Sequence, residues 1–339
     1  MSRPTTAGWL LALALLCCAC SRASSSQPAA RQGEDEAITL RYQGGTGVVW
    51  FPELAEDLGY LAPMKLQFIG STISGPQDIQ TVATGESDFG LAFNGAVIKL
   101  VAAHAPIRAV VGGYGVDEQT FTSFLVREDS PLRSARDLLD KKVAMNTLGA
   151  HSEFMLREYL QRQGLEDAEA KRVTMLVLPP INTEQALRAG QVEVAALTGI
   201  FRDKALERGG LRQLFSDFEL YGTFTAGSYV MHKKFLAEHP KAARKFVEGV
   251  AKAIEWARTT PREEVIARAE AIIAKRKRGE SGDVMRYWKS TGIAGPGGVI
   301  REQDLQMWLT WLTKLGELKP GQLALSDLYT NELNPFYKR

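Results

Sequence analysis

Cysteine is almost absent. Of 339 residues only Cys17, Cys18 and Cys20 are cysteine, and none follows Cys20. The body of the chain therefore holds no disulfide framework, no thiol nucleophile and no thiolate metal site. Histidine is scarce too: His104, His151, His232 and His239 are the only four, and their spacing is not that of a ligand set, so no metal is expected. No G-x-S-x-G or His-Glu-x-x-His occurs, which removes the nucleophile elbow and the zinc-protease helix. Gly-Lys-Ser/Thr is missing, so no P-loop is encoded. Nor does one sign of charge dominate. The 41 Lys and Arg against 39 Asp and Glu leave a net charge of +2, which implies no nucleic acid or other polyanion as partner.

Long apolar runs are lacking as well, with one exception. Arg3 is followed by the run Trp9 to Ala19, "WLLALALLCCA". It is too short for a stable bilayer span and right for the core of a signal peptide. Ala19-Cys20 resembles the cleavage point of a bacterial lipoprotein signal, with Cys20 as the lipidated (palmitate-bearing) residue. The match departs from that pattern at Cys17, where such signals usually carry Leu. Plain secretion, with cleavage near Ala19 or Ala23, is the alternative. Residues 1–19 are thus expected to be a signal peptide, and 20–37 a flexible polar tether.

From Ile38 onward strand and helix signals alternate. Strand-like runs fall at Ile38–Tyr42, Met64–Gly70, Asp88–Phe93, Ile107–Tyr114, Thr122–Glu128, Lys142–Asn146, Val173–Pro179, Glu193–Leu197 and Ser228–Lys233. Amphipathic stretches lie between most of them, which predicts an α/β fold with mostly parallel sheets. After Pro240 the apolar residues recur every three or four positions over Pro240–Thr259, Pro261–Gly279 and Arg301–Leu318, so helices are expected there, two of them starting at Pro240 and Pro261. Trp308 and Trp311 lie on one apolar face and read as core. The basic run Lys275 to Arg278 reads as a solvated helix end, and His104 as a surface residue.

An internal echo stands out. "IQTVATGESDFGLA" and "EQALRAGQVEVAAL" share a plan, with a helix ending in Gly85 or Gly190 and then Asp88 or Glu193 before a short strand. The same offset relates Gly44 to Gly149. Two similar strand–loop–helix series follow, one per lobe.

The loop "YQGGTGVVW" (Tyr42 to Trp50) sits between a strand and a helix. As a dinucleotide fingerprint it fails, because Trp50 occupies the place of the third glycine. A glycine loop at a helix start still binds anions or polar oxygens, through unpartnered N–H groups and the helix dipole. Similar starts occur at Ser71 to Gly75, Asn94 to Ala96 and Thr147 to Ser152. Two facing lobes would bring them to one cleft.

These segments resemble the substrate-binding proteins of ABC importers, in the group for aliphatic sulfonates, taurine, nitrate and thiamine-precursor pyrimidines. The resemblance runs from Ile38 to about Arg258 and is strongest at "GESDFG" and "DSPLRSARDLLDKKVA". It implies a type II periplasmic-binding-protein fold: two Rossmann-like lobes with a hinge, plus C-terminal helices. Residues 38–118 and 226–339 would form lobe 1, and 119–225 lobe 2, with crossovers near Gly115 to Thr122 and Tyr221 to Gly227. Carried over by position, the lobe 1 ligand contacts are Gln43, Gly45, Thr46, Trp50, Ser71, Thr72, Asn94 and Gly95. In lobe 2 they are Asn146, Thr147, His151 and Ser152, completed by Thr198 and Gly199. Trp50 or Tyr114 would cover an organic tail. Many relatives carry a bulkier residue near Thr198, so a larger ligand is open here.

The resemblance further implies a non-enzymatic, monomeric, cofactor-free capture protein. Its partners would be a small-molecule ligand, an ABC permease and ATPase, and the membrane that holds its lipid anchor. A small organic oxyanion suits the hydroxyls and helix N–H groups. A neutral pyrimidine, or a sensor role on the same fold, is the alternative.

Overall fold

The computed structural model describes residues 38–338. The expected signal peptide, Cys20 and the tether lie outside the described residues. The chain first lays down β1 (Thr39–Gly44), α1 (Phe51–Asp57), β2 (Lys65–Ser71), α2 (Gly75–Thr84), β3 (Phe89–Phe93), α3 (Asn94–Ala102) and β4 (Ile107–Val116). It then crosses at residues 117–121 into β5 (Thr122–Arg127), β6 (Lys142–Met145), α4 (His151–Arg162), α5 (Asp167–Ala170), β7 (Thr174–Val177), α6 (Pro180–Arg188), β8 (Val194–Thr198), α7 (Gly199–Glu207), β9 (Leu211–Ser216) and α8 (Asp217–Tyr221). It returns through β10 (Phe224–His232) to α9 (Lys233–Glu238), α10 (Pro240–Thr259), α11 (Arg262–Arg276), α12 (Gln303–Lys314) and α13 (Leu325–Leu328).

Three sheets result. β1 pairs with β2, β10 lies between β3 and β4, and a five-stranded sheet runs β7-β6-β8-β5-β9. The pairings are not mostly parallel, which corrects the sequence reading. β1–β2, β6–β7 and β6–β8 are parallel, whereas β10 runs against both its neighbours and β5 against β8 and β9. The antiparallel strands are those flanking the two crossovers. A strand that carries the chain from one sheet to the next enters against the direction of the βα units around it. β9 has no counterpart among the expected strands. It is an edge strand, and Arg212 and Gln213 break its apolar pattern.

The internal echo has a structural counterpart. In the first series the Asp88 carboxylate accepts the backbone N–H of Arg41 on β1, and Asp88 N–H returns to the Arg41 carbonyl. In the second, Glu193 does the same with Lys142 on β6. Each acid ties the strand after a helix to the first strand of its own series. Gly85 and Gly190 end the preceding helices with positive φ of 80° and 68°, a conformation glycine adopts without strain.

Helix α10 begins with Pro240 and buries Ala243, Phe246, Val247, Val250 and Ile254 on one face, against α1 among others. Trp308 and Trp311 of α12 are buried, as their spacing suggested, and His104 is exposed. Trp308 meets Phe93 at a ring distance of 4.8 Å, and Trp311 stacks on Phe154 of α4 at 4.5 Å. One continuous core thus contains residues of the β3–β10–β4 sheet, of the five-stranded sheet and of α12.

Candidate functional site

The opening loop is held from behind. Helix α1 starts at Trp50, whose N–H is taken by the Glu53 carboxylate at 3.0 Å, and the Gly47 N–H is taken by Glu280. Arg276 lies between these two carboxylates, 2.9 Å from Glu53 and 2.8 Å from Glu280, with its side chain only 7% exposed. It also bonds the Val48 carbonyl. Arg278 reaches Glu53 and the Tyr42 hydroxyl and lies over the Phe68 ring. The run Lys275 to Arg278 is therefore not simply a solvated helix end. Lys277 ends α11 in the left-handed region, at φ 53°, and the chain turns so that Arg276 and Arg278 point inward. Lys275 and Lys277 remain exposed.

With its donors engaged this way, most of the opening loop stays off the cavity described next. Gln43 is half-buried on β1, and Gly45 packs against Val48 and Trp50. Thr46 is exposed, its hydroxyl 3.5 Å from that of Ser71, itself exposed at the end of β2.

A cavity of about 200 Å³ opens between the two halves of the chain. From the first half its wall takes Trp50, Thr72, Ile73, Ser74, Gly75, Leu91, Ala92, Phe93 and Tyr114. From the second it takes Asn146, Thr147, Ala150, His151, Ser152 and Thr198. Trp50, Thr72, Tyr114, Asn146, Thr147, His151, Ser152 and Thr198 are thus brought together as expected from position. Asn94, Gly95 and Gly199 are not on the wall. The Asn94 amide is buried and spent on the chain itself, donating to the Thr225 carbonyl at 2.9 Å and accepting from Ser228 at 2.8 Å. A Cβ on Gly95 would collide with the rings of Phe93 and Phe154, so this position serves packing. Gly199 opens α7 with φ 43° and donates to the Phe121 carbonyl.

The residues that position alone did not select are Ile73, Ser74, Gly75, Leu91, Ala92, Phe93 and Ala150. A signal for Ser74 was present. Serine directly before Gly-Pro is an N-cap with proline in the first turn. The Ser74 hydroxyl does accept the Gln77 N–H. The other six contribute backbone or apolar surface, which a search for polar side chains passes over.

Five helices begin at this wall. Trp50 precedes α1, Ser74 precedes α2, Phe93 precedes α3, Ala150 precedes α4 and Thr198 precedes α7. Helices α3, α4 and α7 have no side-chain cap at their starts. Each such end presents N–H groups and about half a positive charge. Hydroxyls of Thr72, Ser74, Thr147, Ser152 and Thr198 add donors that rotate to suit. No lysine or arginine belongs to the wall. Among the described residues no cluster of three or more His, Cys, Asp or Glu is placed to hold a metal.

Two polar contacts tie the halves at the cavity edge. The Asn146 amide donates to the Ile73 carbonyl at 2.9 Å, and the hydroxyls of Ser74 and Thr147 stand 3.0 Å apart. Deeper in, His151 stacks on Phe93 at 5.1 Å and faces Tyr114 at 6.0 Å. Its Nε2 lies 3.0 Å from Oδ2 of the fully buried Asp217. The pair is close but not aligned as a hydrogen bond, and the other carboxylate oxygen accepts the Thr122 N–H at 2.9 Å. Burial, with a smaller contribution from the Asp217 charge, holds the Tyr114 phenol far above its ordinary range, so it stays a neutral donor.

Known proteins resemble this chain in sequence and in fold. A protein of Escherichia coli K12, provisionally named an aliphatic sulfonates-binding protein, is 26% identical over 65% of this chain and 66% of its own length. The match thus spans just under two thirds of that relative. The alkanesulfonate-binding protein of Xanthomonas axonopodis pv. citri, solved with MOPS, superposes with a TM-score of 0.66 at 20% identity, over 88% of this chain and 100% of that one. The periplasmic nitrate-binding protein of Synechocystis PCC 6803 gives a TM-score of 0.65 at 15% identity, over 88% and 87%. The fold is that of periplasmic binding proteins. Residues 54–264, more than half of the chain, match the NMT1/THI5-like family, and the chain belongs to that family.

Proposed function

We propose that this protein is the extracytoplasmic binding component of an ABC importer and captures a small organic oxyanion between its lobes. An aliphatic sulfonate, a sulfate ester or a taurine-like molecule is the ligand class. The observation that carries the reading is the meeting of five helix starts and six hydroxyl-bearing side chains, the Tyr114 phenol included, on one wall without a lysine or arginine. Sulfonate oxygens need many donors and little formal countercharge, which is what such a wall offers. The names of the curated relative and of the alkanesulfonate-binding structure point the same way.

In this reading the lobes comprise residues 38–118 with 226–339, and 119–225. The ligand touches both, so closing is favoured by its differential affinity for the closed state. The closed form is what a permease and its ATPase would accept. Export by the N-terminal signal and a lipid anchor at Cys20 would keep a monomer at the membrane surface. No enzymatic step is assigned, because no nucleophile is activated at the wall. The stacked rings of Phe93 and His151 favour a second ligand, a flat neutral pyrimidine.

A thermal-shift panel of sulfonates, sulfate esters, nitrate, taurine and pyrimidines tests the assignment. A true ligand at one hundred times its Kd stabilises by about 2.7 kcal/mol. A melting curve unmoved by every oxyanion overturns the reading, and movement by pyrimidines alone selects the second one.

A further inference from the structure

Behind the cavity wall sits a buried charge that the oxyanion reading does not use. Asp217 is fully buried at the start of α8, and His151 stands between it and the cavity. One carboxylate oxygen holds the Thr122 N–H, while the other faces His151 without an aligned partner. The side chains packed around His151 are Phe93 from β3, Tyr114 from β4, Phe224 from β10 and Asp217 from α8. Of these only Tyr114 and Asp217 titrate.

The charge count is then simple. With His151 neutral, the pair with ionised Asp217 carries one negative charge. With His151 protonated, it carries none. In neither state does the pair carry a net positive charge, and no lysine or arginine at the wall supplies one. With the pair summed, net positive potential comes from the helix ends, whose partial charges are fixed. They satisfy one negative charge spread over three oxygens. A second charge must be desolvated with no new cation to meet it, and it is repelled by Asp217.

We propose that the Asp217–His151 pair makes this site accept singly charged oxyanions and reject doubly charged ones. The inference rests on the oxyanion reading and narrows it: sulfonates, sulfate monoesters and nitrate fit, whereas sulfate and ionised phosphate esters do not.

Titration calorimetry with ethanesulfonate and ethyl phosphate between pH 5 and pH 8 tests it. Ethanesulfonate keeps one charge throughout. Ethyl phosphate loses its second proton near pH 6, so at pH 8 about one molecule in a hundred is still a monoanion. Any change in the charge of the pair acts on a dianion more than on a monoanion, so it cannot flatten the ratio. The expected result is that the Kd of ethyl phosphate, divided by that of ethanesulfonate, rises about a hundredfold from pH 5 to pH 8. A ratio that stays flat while ethanesulfonate binds overturns the inference and leaves the oxyanion reading standing. If ethanesulfonate binds at no pH, the oxyanion reading fails and takes the inference with it.

Asp217→Asn retains an acceptor for the Thr122 N–H and removes the charge. It should shrink the rise to about tenfold or less, and Asp217→Glu should restore it. A rise in D217N as steep as in the parent protein removes Asp217 from the mechanism. The parent protein's own pH series keeps the selectivity claim open to refutation even if D217N does not fold.

Discussion

Asp78 lies in the first turn of α2 with no exposed surface. One carboxylate oxygen accepts the Leu91 N–H at 2.7 Å, and the other has no hydrogen-bond partner. Burial lifts its pKa from 3.8 to about 7, and the Leu91 bond offsets part of that rise. In the unfolded chain an aspartate ionises near 3.9. Between these values the folded protein keeps a proton that the unfolded chain has released. The contribution to stability is therefore full below about pH 4, falls as pH rises and is lost above about pH 7. Three pKa units correspond to roughly 4 kcal/mol. Asp78→Asn keeps the acceptor for Leu91 and should flatten this slope. Urea unfolding at pH 4.5 and pH 8 measures it, and an equal loss in D78N and the parent would refute the assignment. In the sequence this residue looks like an ordinary acid at a helix start. Its burial depends on β3 covering α2, which local pattern does not reveal. Arg276 and Arg278 are the same lesson: their partner Glu53 lies more than two hundred positions away, so a basic run at a helix end read as solvated.

At the scale of elements, the helix starts were the legible part of the site. Loop-then-helix after each strand marks where N–H groups point, and four such starts were visible before any geometry. What stayed hidden was which of them is already satisfied. Glu53 and Glu280 occupy donors of the opening loop, so only Trp50 from that loop reaches the cavity. Most strands were legible, the partly exposed edge strands β2 and β7 included, but not β9, where Arg212 and Gln213 interrupt the apolar pattern. This gives unequal expectations for two substitutions. Asn146→Ala removes a wall amide and the bond to the Ile73 carbonyl, each worth about 1 kcal/mol. It should weaken ethanesulfonate binding by about tenfold or more. Thr46→Ala alters an exposed hydroxyl outside the cavity and should leave the Kd within about twofold. Calorimetry on both variants checks this. The reverse order would move the site back to the opening loop.

For the whole molecule, the two halves are joined by more than the crossovers. The aromatic group Phe93, Phe154, Trp308 and Trp311 links β3, α4 and α12 in one core. The Trp311 indole also donates to Glu158 of α4 at 2.8 Å. In addition, α7 meets the segment around Trp288 through ion pairs such as Lys289–Asp203 at 3.0 Å and Arg286–Glu207 at 3.4 Å. These ion pairs are partly exposed and contribute little. The aromatic group is buried, and truncating a buried tryptophan costs about 3–5 kcal/mol. A core shared in this way should make the halves unfold together. Calorimetry of the parent protein is expected to show one transition, with calorimetric and van't Hoff enthalpies equal. Trp308→Ala breaks the shared core on the α12 side and should split or broaden that transition, with the five-stranded half and the first sheets melting apart. Ligand should then raise the two melting points unequally. Two resolved transitions in the parent protein would mean that the halves are energetically separate, with α12 belonging to only one of them.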